Sequence, residues 1–181
     1  MRNFIITICA AFAAWALLAG CSKAPGEREF NAAIDEIRDG NYVRAKTLLE
    51  KSISKRPGSE ENALAYNYLG IAASRLGKFQ EAMDAFEDSR RLSPTLVEPV
   101  YNQGVLLSGG GDVPRAIALL TEAARMDPAD PRALEVLGNV YMDRQQWPEA
   151  RRALYGALDR APNSERVLTA IALVEAGAGD F

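Results

Sequence analysis

Few residues in this chain are able to do covalent chemistry. Histidine is absent from all 181 residues, and cysteine occurs twice, at Cys9 and Cys21. Without an imidazole there is no Ser-His-Asp or Cys-His nucleophile and none of the common zinc and iron ligand sets. Carboxylates remain as acid–base candidates, but Asp35-Glu36 and Glu60-Glu61 are sequence neighbours. Side chains one residue apart on a helix do not face each other, so these read as solvated helix faces or turns. No G-x-x-x-x-G-K-[ST] and no strand-borne G-x-G-x-x-G occurs. Gly109-Gly110-Gly111 runs into Asp112, which reads as a helix stop and loose turn rather than a phosphate cradle. The expectation is a stretch with no catalytic residue, no cofactor and no metal.

Cys21 has a different chemistry open to it. Met1, Arg2 and Asn3 make a short positive start, and Phe4 to Leu18 is an uncharged run of 15 residues. A spanning helix needs roughly 20. A positive start, a short apolar run and small residues before a cut describe a secretory signal peptide. The run ends in Leu18-Ala19-Gly20-Cys21, which resembles the lipobox of bacterial lipoproteins. The resemblance implies cleavage before Cys21, a diacylglyceryl group on its thiol and an acyl chain on its amine. One acyl chain holds a membrane marginally and more than one holds it stably. The plainer reading, an uncleaved anchor helix with an incidental Cys, fits less well with so short an apolar run. Residues 1–20 are therefore expected to be a lipoprotein signal peptide, and 21–25 the lipidated Cys and a short tether. The implied location is the bacterial cell envelope, with Ser22 favouring the outer membrane in a Gram-negative organism. The mature chain would then hold neither a free thiol nor a disulfide, despite an oxidising export route.

The charge balance is 21 basic against 24 acidic residues, a net charge of -3. That points to no nucleic-acid partner.

Self-similarity organises the remainder. Ala45, Ala82, Ala116 and Ala150 are each followed twelve residues later by a proline, at Pro57, Pro94, Pro128 and Pro162. The last two spacings between these alanines are 34 residues. The first is 37, which accommodates three inserted residues, most simply Glu60-Glu61-Asn62. Twelve residues before the alanines stand Ala33, Gly70, Gly104 and Gly138. Small residues at both places let two helices approach closely. Gly40, Gly77 and Gly111 suit a left-handed helix end, and Pro114 and Pro148 suit a helix first turn.

The period and these positions resemble the tetratricopeptide repeat. Tyr66, Leu69, Gly70, Gly77, Ala82, Phe86 and Pro94 stand on its signature positions in the second unit. Leu134, Leu137, Gly138, Tyr141, Ala150, Leu154, Ala157 and Pro162 do so in the fourth. The third unit is looser. In the first, Glu29 stands where a large apolar residue is usual. The resemblance implies an all-α fold, a right-handed α-solenoid of about four and a half helix-turn-helix repeats over residues 26–181. The repeats fall at about 26–59, 63–96, 97–130 and 131–164, with a partial unit at 165–181. That last unit reads as one apolar helix and the start of a turn. Either the sequence continues past Phe181, or the uncapped helix meets a partner or a second copy as a homo-oligomer.

Family geometry places the first helix of each unit on a concave face, and a protein or peptide ligand in that groove. Among the residues so placed, Phe30 and Arg38 included, the candidate ligand contacts are Asn67, Arg75, Tyr101, Arg132 and Asn139, as amide, cation and aromatic groups. Ile34, Ile71 and Val105 are core or groove, since periodicity does not separate the two. The carboxylate clamp of the chaperone-binding branch finds only Asn102 and Arg132 here, so that clamp is not expected. The expected function is a non-catalytic, membrane-anchored protein-binding scaffold or assembly factor. The alternative is the targeting module of an enzyme whose catalytic part lies beyond residue 181. Removing Tyr101 and Arg132 together is expected to weaken ligand capture with little change in melting.

Overall fold

The computed structural model describes residues 24–179. The signal segment, Cys21, and Asp180-Phe181 lie outside the described residues. Among the described residues all regular structure is helical. The α-helices are α1 Glu27–Arg38, α2 Tyr42–Ser54, α3 Ala63–Arg75, α4 Phe79–Leu92 and α5 Val97–Gly110. They continue as α6 Val113–Met126, α7 Arg132–Met142, α8 Trp147–Arg160 and α9 Glu165–Ala178. Each packs on the next, and α1, α3, α5, α7 and α9 also touch one another in that order. The first helices of the repeats thus form one continuous wall of an α-solenoid, as expected.

One bare residue sets the closeness of each pair. A Cβ on Gly70 would lie 2.5 Å from Phe86, one on Gly104 2.7 Å from Leu120, and one on Gly138 2.4 Å from Leu154. In the first pair Ala33 packs with Leu49 and Ala65. The first helices end where the chain turns left-handed, at Gly40, Gly77 and Gly111, with φ of 79°, 73° and 88°. In the fourth unit that place is held by Gln145 at φ 57°, at a conformational cost that a glycine avoids. The triple glycine is not the loose turn expected: Gly109 and Gly110 complete α5, and Gly111 alone caps it. Pro57, Pro94, Pro128 and Pro162 each follow a helix end by two or three residues, where proline cannot continue the helix.

The three-residue insertion is a 3₁₀ turn, Glu60–Asn62. Asn62 is 1 % exposed, and its amide donates to the Arg56 carbonyl at 2.6 Å and the Ile53 carbonyl at 3.4 Å. The insertion therefore adds a side-chain donor to two carbonyls that also accept backbone N–H groups, Ile53 from Arg56 at 3.1 Å and Arg56 from Ser59 at 3.2 Å. At the N-terminal end, Ala24 is tied back to α1. Its N–H donates to Glu27 Oε2 at 3.0 Å, and Glu27 N–H donates to its carbonyl at 3.0 Å. The core is a strip running through the array. It passes from Ala33, Leu49 and Ala65 at one end to Ala150, Leu154, Val167 and Val174 at the other. On α9, Val167, Ala170, Ile171 and Val174 are buried, while Leu168 and Leu173 are 47 % and 56 % exposed.

Candidate binding face

The wall of first helices presents both clefts and charges. Between α3 and α5 lies a cleft of about 610 Å³. Its sides are Ile71, Ser74 and Arg75 from α3 and Asn102, Val105 and Leu106 from α5, with Phe79 of α4 at its edge. A second cleft, of about 420 Å³, lies between α1 and α3, lined by Phe30, Ile34, Arg38, Leu64 and Tyr68 among others. Phe30 and Tyr68 meet edge to face with centroids 5.8 Å apart. Leu64 and Val105 on this wall are 46 % and 38 % exposed. Ile34 and Ile71, left open between core and groove, are half-buried and line these clefts.

The five residues placed in the groove from the sequence do not form one cluster. Asn67 is 3 % exposed, and its Oδ1 accepts from Asn102 Nδ2 at 2.9 Å. It is turned towards its neighbour on α5, and Asn102 is the amide that reaches the cleft. Tyr101 is half-buried and packs against the clusters around Leu120 and Val100. The Arg132 guanidinium lies over its ring, 5.1 Å from the centroid, a contact worth roughly 0.5–1 kcal/mol at an exposed site. Arg132 is also engaged by Asp130, Nε to Oδ2 at 2.7 Å. Burial pushes the Tyr101 hydroxyl above its ordinary value, with Arg132 opposing. The hydrogen bond from Arg132 holds the Asp130 carboxyl below the usual carboxylate range. Asn139 is exposed on α7. Arg166 repeats the pattern one unit on, donating to Glu135 at 3.1 Å. Tyr101 and Arg132 thus sit together in a neutralised pair, while Arg75 stands exposed at the cleft with no ion-pair partner among the described residues.

Phe79, Leu106 and Gly110 also border the large cleft and were not expected there. The available signal was spacing: residues 102, 106 and 110 share a helix stripe, as do 71 and 75. Among the described residues, no group of three or more His, Cys, Asp or Glu is placed to hold a metal ion. No helix there is long and apolar enough to cross a membrane.

The tetratricopeptide repeat family model matches residues 30–96 and 101–165. Photosystem I assembly protein Ycf3 of Acaryochloris marina is 31% identical over 114 residues, covering 60% of this chain and 68% of that protein. In structure the chain is similar to MamA of Desulfovibrio magneticus RS-1, with a TM-score of 0.74 and 22% identity over 87% of this chain and 88% of that one. It is also similar to YrrB, a TPR protein with an unusual peptide-binding site, with a TM-score of 0.66 and 20% identity over 78% of this chain and 72% of that one. Two matches that together take in most of the chain, on a stack of helix pairs in the same register, place it by more than likeness: the chain belongs to the tetratricopeptide repeat family.

Proposed function

We propose that the chain is a non-catalytic scaffold or assembly factor, tethered through a lipidated Cys21 to a bacterial envelope membrane, whose first-helix wall holds a segment of a partner protein. The observation that carries this reading is the pair of clefts on that wall, with Leu64 and Val105 left 46 % and 38 % exposed beside them. Apolar side chains on a wall of rigid helices are what a peptide ligand needs for contact. A curated relative whose own role is the assembly of a protein complex supports the same direction. The absence of histidine from the 181 residues supports a non-catalytic role for this stretch. The lipobox supports the tether.

Two measurements test it. Metabolic labelling with palmitate marks the parent, and Cys21→Ser leaves an unlabelled precursor of higher mass. Equal processing and equal detergent partitioning of that variant would reject the tether. Capture from solubilised envelope is lost in the double variant Leu64→Glu, Val105→Glu with melting unchanged, because both side chains are exposed. Retention of the same partners would reject the wall as the binding face.

A further inference from the structure

We infer that the cleft between α3 and α5 selects an extended partner segment carrying a bulky aliphatic side chain within two residues of an aspartate or glutamate. This rests on the reading of the first-helix wall as the binding face and names what the wall recognises. Charge decides the occupant. Arg38, Arg132 and Arg166 on the wall are already paired: Arg38 donates to Asp35 at 2.8 Å, Arg132 to Asp130 at 2.7 Å and Arg166 to Glu135 at 3.1 Å. Arg75 has no carboxylate partner among the described residues, and it is the arginine that borders the larger cleft. None of the described lining residues of that cleft is acidic. A guanidinium beside a predominantly apolar cleft pairs with a carboxylate in a geometry that a lysine or an amide does not match.

The remaining lining specifies the neighbouring side chain. Ile71, Val105, Leu106 and Phe79 are apolar. The cleft volume of about 610 Å³ falls within the roughly 300–1,000 Å³ of ligand sites. It is kept open by two adjacent glycines with different roles. A Cβ on Gly110 would strike Phe79 at 2.7 Å, whereas a Cβ on Gly109 would meet nothing within 4 Å. Gly110 lets the Phe79 ring rest against α5, and Gly109 leaves the mouth empty. Asn102 offers hydrogen bonding to an extended backbone, and its side chain is oriented by the bond from its amide to Asn67 at 2.9 Å.

Gly109 makes the test clean, since it lines the cleft, a Cβ there would meet nothing within 4 Å, and the change removes a helix glycine. Random nonapeptides displayed on phage are selected on the immobilised full chain, and the most enriched peptide is then measured by fluorescence anisotropy. The expected result is enrichment of Leu or Ile within two positions of Asp or Glu. Gly109→Leu weakens the enriched peptide at least tenfold with a melting temperature equal or higher. Selection on Arg75→Glu exchanges the acidic preference for Lys or Arg. Enrichment of another pattern, or affinity unchanged within twofold in Gly109→Leu, overturns this inference. If that affinity is instead lost in Leu64→Glu, the wall remains the binding face. Absence of any enriched peptide overturns both.

Discussion

At the scale of single residues, the signature positions behave as close-packing devices. Leu120 is fully buried and lies over Gly104. Leu120→Ala is therefore expected to cost about 2–5 kcal/mol, as a large-to-small change in a packed core, measured by denaturant unfolding. Gly104→Leu is expected to lose at least as much, because two helices would have to part. Glu29 breaks the usual apolar pattern, and the structure shows how it is held. Lys55 Nζ lies 2.7 Å from its Oε1 and Lys51 Nζ 3.8 Å. The hydrogen bond from Lys55 is the main cause that keeps this carboxyl below the usual carboxylate range. A lowered folded-state value adds stability above the unfolded-state value, and that stability is lost as pH falls through the folded-state value. Glu29→Gln should melt lower than the parent at pH 7, and the gap should close on acidification below the carboxylate range. A constant gap would show that the ion pair contributes nothing. The small signature residues were legible because spacing alone picks them out. The groove residues were less so: Asn67 is at a groove position by repeat number, yet its side chain is spent on Asn102. Tyr101 packs on two core clusters, so its loss will lower melting, contrary to the expectation from sequence.

At the scale of elements, most helix ends were written in glycine and proline, and the described helices follow them except α7, after which the chain turns at Gln145. Hydrogen bonds between elements were not legible, since each depends on a partner far along the chain. Ser52 and Ser89 occupy the same repeat position, and each hydroxyl donates across its pair, to the Gly26 carbonyl at 2.8 Å and the Ala63 carbonyl at 2.7 Å. In the third unit Gln103 stands where the second and fourth have Leu69 and Leu137. It is 2 % exposed, accepts from Arg90 at 3.1 Å and donates to Glu87 at 3.3 Å. Arg90 also reaches Glu122 on α6 at 3.0 Å. A polar tie thus joins α4, α5 and α6 where the repeat signature is loosest. The insertion before α3 is the more testable device. Asn62→Ala removes the side-chain donor of two carbonyls after α2, which keep their backbone donors, and should cost about 0.5–1.5 kcal/mol. Deleting Glu60 to Asn62 together should cost more, because α3 would lose its register on α2. If Asn62→Ala is neutral in chemical denaturation, the turn is only a spacer.

At the scale of the whole molecule, neighbour-to-neighbour packing makes a wall whose shape is fixed by repetition and whose chemistry varies from unit to unit. The solenoid was readable from a period of 34 residues; the division of labour along its wall was not. That division comes from which arginine finds a carboxylate inside the fold, and the sequence does not display it. Toward the C-terminal end the wall neutralises its own charges through Arg132 with Asp130 and Arg166 with Glu135. Its middle keeps Arg75, with no carboxylate partner among the described residues, beside an open cleft. The central claim, that a partner lies on the first-helix wall, is tested most directly by site-specific photo-crosslinking in cells. A benzophenone side chain is placed at Val105 on α5, and in a separate strain at Val43, which is 69 % exposed at the start of α2. The account predicts a discrete partner adduct from position 105, abolished by Gly109→Leu, and none from position 43. An adduct from position 43 with none from position 105 would contradict it.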